Sequence, residues 1–255
     1  MAKLPKAHQF LDLSDYGRPI ARIIAGSLKN TIVTPVQVTI WFVISGLISI
    51  CFMLQGYYWL AGIFLVLKSV LDAADGELAR IKETPSYTGR YLDSVSDIIL
   101  NFLIFMVIWY ITDLAIWWAF LAFFCYQLQG TLYNYYYVIL RSKLDGDKTS
   151  RIIEKGSPTA LGNESQQAVN LLFAAYTLCY SVYDKIIYNC DSNAPEGKII
   201  PNWLMTAVST FGLGFQLLLI SVFLILGWKA YIIPFFIGYS VMIFIFIFIG
   251  LRKAL

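Results

Sequence analysis

Four aspartates, Asp72, Asp75, Asp93 and Asp97, lie close together in a chain otherwise dominated by apolar residues. The first pair is spaced i, i+3 and the second i, i+4, so each pair shares one face of a helix. Two such pairs facing each other make a hard, oxygen-rich site of the kind that Mg²⁺ or Mn²⁺ prefers. Gly76, Ala79 and Gly89 put small surfaces beside the carboxylates, and Arg80 adds a fixed positive charge. The single histidine, His8, sits in the N-terminal tail, so acid–base or metal chemistry falls to carboxylates. None of the four cysteines forms a CxxC pair, which argues against a zinc site or a disulfide framework.

The elements that must position these acids are membrane helices. Residues are 58% hydrophobic and 14% charged, where a soluble domain carries about 25% charged. The expected fold is all-α: one integral-membrane domain over residues 1–255, a polytopic bundle of six or seven transmembrane helices with an N-terminal interfacial helix. Residues 1–34 form a cytoplasmic tail and lead-in, 35–140 the catalytic core helices, and 141–255 a polar loop and the remaining helices. In residues 14–30, Ile20, Ile23, Ile24 and Leu28 fall near one face, with Arg18, Arg22 and Lys29 around the other. That pattern reads either as an interfacial helix or as an ordinary cytoplasmic lead-in.

Spans are expected over Val36–Leu54, Tyr57–Asp72, Tyr91–Ile111 and Leu114–Leu140, and again over Trp203–Leu226 and Tyr231–Gly250. Each is near the length, about 20 residues, that a hydrocarbon core requires. The stretch Gln167–Tyr188 is either a further span or a re-entrant or interfacial helix. Basic residues around 77–90 and 141–155 put those loops, and the acidic site beside them, near the cytoplasmic face. The small net charge of +3 gives no reason to expect a nucleic-acid partner.

Intramembrane carboxylates are costly and usually functional. Four acids with only Arg80 and Lys68 nearby exceed simple neutralisation, so a cation site is the better account. An enzyme or a divalent-cation transporter could each use one. The glycines and the alanine separate these. The order Asp72-x2-Asp75-Gly76-x2-Ala79-Arg80-x8-Gly89-x3-Asp93-x3-Asp97 resembles the signature of the CDP-alcohol phosphatidyltransferase family (class I), with every defining position filled. More weakly, TPVQVT at Thr34–Thr39 resembles the family's Pro-Asn-x-x-Thr, with Val36 where the asparagine is usual.

The resemblance implies a helical membrane enzyme, often a homodimer. It would pass a substituted phosphoryl group from a CDP-alcohol to an acceptor hydroxyl and release CMP, most naturally in phospholipid biosynthesis. By that likeness Asp72, Asp75, Asp93 and Asp97 hold two divalent ions, Mg²⁺ or Mn²⁺, and Asp97 is the catalytic base. Gly76, Ala79 and Gly89 leave room for the cytidine nucleotide, and Arg80 touches its phosphates or base. The chemistry agrees: a pyrophosphate must be neutralised before a hydroxyl attacks, and divalent ions and a guanidinium do this. Either the donor or the acceptor would be a lipid, the alternative being a polar-alcohol transferase that makes a soluble phosphodiester.

Other polar residues have two readings each. Gln127, Thr131, Asn134 and Arg141 share a helical face and either line the site or hydrogen-bond between helices. Asn101 continues the face of Asp97. Lys68, one turn before Asp72, either pairs with that acid or snorkels.

Overall fold

A computed structural model describes residues 8–144, 156–162 and 164–254. Most of the 141–155 basic loop therefore lies outside the described residues. Among these residues the chain is all-helical. Helix α1 spans Arg18–Leu28, α2 Pro35–Leu54, α3 Tyr58–Ile81, α4 Tyr87–Tyr110 and α5 Ile116–Lys143. Then follow α6 Gln166–Cys190, α7 Asn202–Val208, α8 Leu213–Ile225, α9 Lys229–Tyr239 and α10 Val241–Ala254.

Local signals set the ends of the helices that carry the site. Thr34 caps α2 through a reciprocal box with Gln37, and Pro35 occupies the first turn, where its missing N–H costs nothing. Gly56, at φ +80°, turns the chain into α3, a left-handed position that glycine takes without strain. Ser86 caps α4 by accepting from the Gly89 N–H at 2.8 Å. The α3–α4 hairpin thus brings the C-terminal end of one helix beside the N-terminal end of the next, and both ends carry aspartates.

The core runs between α2, α3, α4, α5, α8 and α9, through Phe42, Leu65, Ile104, Phe105, Leu217 and Phe236. Glycines let helices close up: a Cβ at Gly46 would meet Leu100 at 2.9 Å, and one at Gly62 would meet the Ser221 carbonyl at 3.0 Å. Ala21 and Ala25 of α1 are fully buried against Val38, Ala74 and Leu78. Ile24 and Leu28 pack inward beside them, whereas Ile20 and Ile23 point away from the bundle and are exposed.

Three helices among the described residues are long and apolar enough to cross a membrane: Pro35–Leu54, Tyr87–Tyr110 and the continuous Lys229–Gly250. With the apolar shell of exposed Ile40, Trp41, Leu47, Trp117, Phe244 and Phe248, they make this an integral membrane protein. The expected span over Trp203–Leu226 is not one straight helix. It breaks at Gly212, whose backbone is extended (φ −68°, ψ 147°), and α7 with its 3-10 continuation bends 51° from α8. Helix α3 is long enough to cross, but Lys68, Asp72, Asp75, Glu77 and Arg80 make it too polar to qualify by composition.

Both ends of α6 are fastened to the same end of the α4–α5 hairpin, the end remote from its turn. Just before α6, Glu164 accepts from Ser86 Oγ (2.6 Å) and from the Thr88 N–H (2.8 Å) at the start of α4. Just after it, Asp191 accepts from the hydroxyls of Tyr135 and Tyr136, both at 2.7 Å, and Lys143 at the end of α5 donates to the Ala194 carbonyl at 3.1 Å.

Candidate functional site

The last turns of α3 and the first turns of α4 hold all four aspartates. Asp72, Asp75 and Asp93 each offer a carboxylate oxygen within 4.8 Å of the others. Asp75 is buried, and its Oδ2 accepts a 2.6 Å hydrogen bond from Thr39 Oγ1 on α2. Asp93 Oδ1 is buried and has no hydrogen-bond partner. An anionic oxygen left so is expensive unless a cation takes it up. Three converging carboxylates from two helices, one aimed inward without a partner, fit a hard divalent ion.

Asp97 is buried one turn further along α4 and stands apart from that triple. Its Oδ1 accepts from the Lys68 ammonium at 2.5 Å. Lys68 is wholly buried, with its ammonium 4.9 Å from the centre of the Phe42 ring. The sequence offered Asp72 or the membrane surface as the destination of Lys68. The structure gives it Asp97 instead: the long side chain reaches from α3 to the carboxylate on α4.

Arg80 folds back over Gly76, where a Cβ would come within 3.6 Å of its guanidinium. Its Nη2 pairs with Glu77 Oε1 at 3.1 Å. Arg18 and Arg22 of α1 reach the same oxygen at 3.8 and 3.9 Å. Glu77, two residues past Asp75, therefore gathers three guanidiniums. Ala79 is half-buried on the same turn as Arg80. Gly89 sits in the cap of α4, where a Cβ would meet Ser86 Oγ at 3.2 Å and Val36 at 3.8 Å. Val36, in the place of the family's usual asparagine, thus lines the Gly89 side of the site.

Of the polar face expected on α5, Gln127, Thr131 and Arg141 are buried and Asn134 is exposed. The hydrogen bonding between helices runs through a neighbour the sequence did not single out. Gln129 donates to the Phe236 carbonyl (2.9 Å) and to Ser240 (2.8 Å), and accepts from Gln216 (3.0 Å). Glu164 was missed as well. A lone acid in a polar loop carries no local signal, and its partners on α4 lie more than 70 residues away, at Ser86–Thr88. Lys68 did carry one, since a lysine inside an apolar run demands a partner.

Fold and site together define a polytopic helical membrane protein with a cluster of carboxylates where two helices meet. The chain belongs to the CDP-alcohol phosphatidyltransferase family, whose sequence model matches residues 32–246, most of its length. That family transfers a phosphoryl group from a CDP-alcohol to a hydroxyl acceptor and depends on divalent metal. No curated protein matches the chain closely enough to be compared with it.

Proposed function

We propose that this protein transfers a substituted phosphoryl group from a CDP-alcohol to an acceptor hydroxyl, releasing CMP, in the synthesis of a phospholipid. The observation that carries this reading is the convergence of Asp72, Asp75 and Asp93 within 4.8 Å, with Asp93 Oδ1 buried and unpartnered. Oxygen-only ligands favour Mg²⁺ or Mn²⁺. Such an ion, when bound, supplies Lewis-acid neutralisation of the pyrophosphate.

The chain's own residues do the rest. Gly76, Ala79 and Gly89 leave the helix surfaces low enough for the nucleotide to lie against them. Arg80, released from Glu77, donates to the donor phosphates. The acceptor oxygen bonds to phosphorus as the bond from phosphorus to the CMP oxygen breaks, and the acceptor proton passes to Asp97. Lys68 holds Oδ1 of that carboxylate, so Oδ2 faces the acceptor.

We read α2, α3, α4, α5, the α7–α8 pair and the α9–α10 pair as six crossings, with α6 returning to the side it left. The fastening of both ends of α6 at one end of the α4–α5 hairpin supports this. Lys82 and Arg90, flanking the α3–α4 turn, favour a cytoplasmic site. The outward Ile20 and Ile23 suit α1 to the membrane interface.

The test is CMP release by the purified protein with Mg²⁺, screening CDP-diacylglycerol, CDP-choline, CDP-ethanolamine and CDP-inositol against a panel of polyol and lipid acceptors. Divalent-cation uptake into proteoliposomes without CMP release from any donor would make the protein a transporter and overturn the reading.

A further inference from the structure

We infer that Lys68 occupies one of the two cation positions that four carboxylates could provide, so that this protein binds a single divalent ion, at Asp72, Asp75 and Asp93. The inference rests on the transferase reading only in taking the ion at the aspartates to be divalent.

Two separate observations lead here. The first is the division among the acids. Three offer oxygens within 4.8 Å of one another, and Asp97 is not one of them. The second is the place of Lys68. Its ammonium lies 2.5 Å from Asp97 Oδ1, has no exposure to solvent, and is within electrostatic reach of Asp72 and Asp93 as well. Arg80, Arg18 and Arg22, by contrast, converge on Glu77.

A second divalent ion bridging to Asp97 would have to displace the ammonium from its oxygen or sit directly beside it. Displacement leaves a lysine charge buried among Phe42 and the helix walls with no partner, which is strongly unfavourable. Coexistence sets three cationic centres against four carboxylates at contact distance in a poorly screened interior. With Lys68 in place, a single divalent ion leaves the cluster one charge short of neutral, and an incoming pyrophosphate is met by Arg80 and its neighbours rather than by a second metal.

The experiment is a Mn²⁺ titration of the full-length protein in detergent, read by calorimetry for stoichiometry and by electron paramagnetic resonance for metal–metal coupling. Two Mn²⁺ ions in one site sit about 3.5–4 Å apart and couple. The expected result is one ion per chain with an uncoupled spectrum. Lys68→Met, which keeps the length and loses the charge, should admit a second ion and produce the coupled signal, and Lys68→Met/Asp97→Asn should return to one. Two coupled ions in the unaltered protein overturn the inference, as does binding of none, or a folded Lys68→Met that still takes one. If Lys68→Met does not fold, the count in the unaltered protein decides alone. CMP release measured on the same preparation separates the two readings. Turnover with two coupled ions removes the single-ion site and leaves the transferase. One bound ion without turnover does the reverse.

Discussion

Thr39 Oγ1 donates a 2.6 Å hydrogen bond to Oδ2 of Asp75, tying α2 to a carboxylate of the α3–α4 cation site. Because Asp75 is buried, this bond fixes which oxygen is left for a metal. Thr39→Val keeps the side chain's shape and removes the donor. The expected outcome is Mn²⁺ binding weaker by about 10–100-fold, the usual cost of losing a partner that orients a metal ligand. A binding constant unchanged by the substitution would show that Asp75 needs no such orientation.

Removing the divalent ion should abolish CMP release, and Mg²⁺ or Mn²⁺ should restore it. Asp93→Asn should do the same irreversibly. Its Oδ1 is the buried oxygen without a protein partner, and an amide there cannot supply the negative charge. Turnover in chelator, or normal turnover in Asp93→Asn, would sink the metal-dependent mechanism.

Arg80 is held by Glu77 at 3.1 Å and must exchange that partner for the donor's phosphates. Arg80→Ala should therefore raise the donor KM by about tenfold or more, as expected for loss of a charge-assisted hydrogen bond, and leave the acceptor KM nearly unchanged. Steady-state kinetics with both substrates varied will show it. A defect confined to the acceptor would put Arg80 on the wrong substrate.

Glu164 gives the loop before α6 its hold on α4, and that hold depends on pH. Burial pulls its carboxyl upward, but hydrogen bonds from Ser86 and from the Thr88 and Leu161 N–H groups outweigh this and set it below the ordinary glutamate range. A folded-state value below the unfolded one, about 4.3, contributes stability above that pH and loses it as the pH falls through the lower folded value. Glu164→Gln should lower the Tm at neutral pH, and the gap between the two proteins should narrow below about pH 4.3. Thermal unfolding across pH 3–7 measures it, and a gap constant with pH would mean that the charge is irrelevant.

The shared helix faces of Asp72 with Asp75 and of Asp93 with Asp97 could be read directly, because helical spacing within one element is local information, whereas Gly76, Ala79, Arg80 and Gly89 were singled out by the motif they fill. Partners between elements could not. Spacing along α3 pointed Lys68 at Asp72, one turn away, whereas packing turned it to Asp97, 29 positions on. The break at Gly212 was hidden inside an unbroken apolar run, since hydropathy does not record backbone direction. The grip of Glu164 on α4 was equally silent.

Gly214 is a glycine because the carbonyl of Ser14 would lie 1.9 Å from any Cβ there. Close by, the Leu13 N–H donates to Ser209 Oγ, 196 positions later, at 2.9 Å. The segment before α1 therefore seats itself on a part of the chain made about 200 residues later. At about 5–20 residues per second, it waits roughly 10–40 s after leaving the ribosome before its seat exists. Until then α1 has α3 to rest on, and the segment in front of it has only Tyr133 and Tyr137 of α5, which meet Asp12 and Phe10. Closure of this end of the bundle is thus a late event in assembly, and a chain truncated before residue 209 keeps its aspartates but lacks the seat of Leu13 and Ser14.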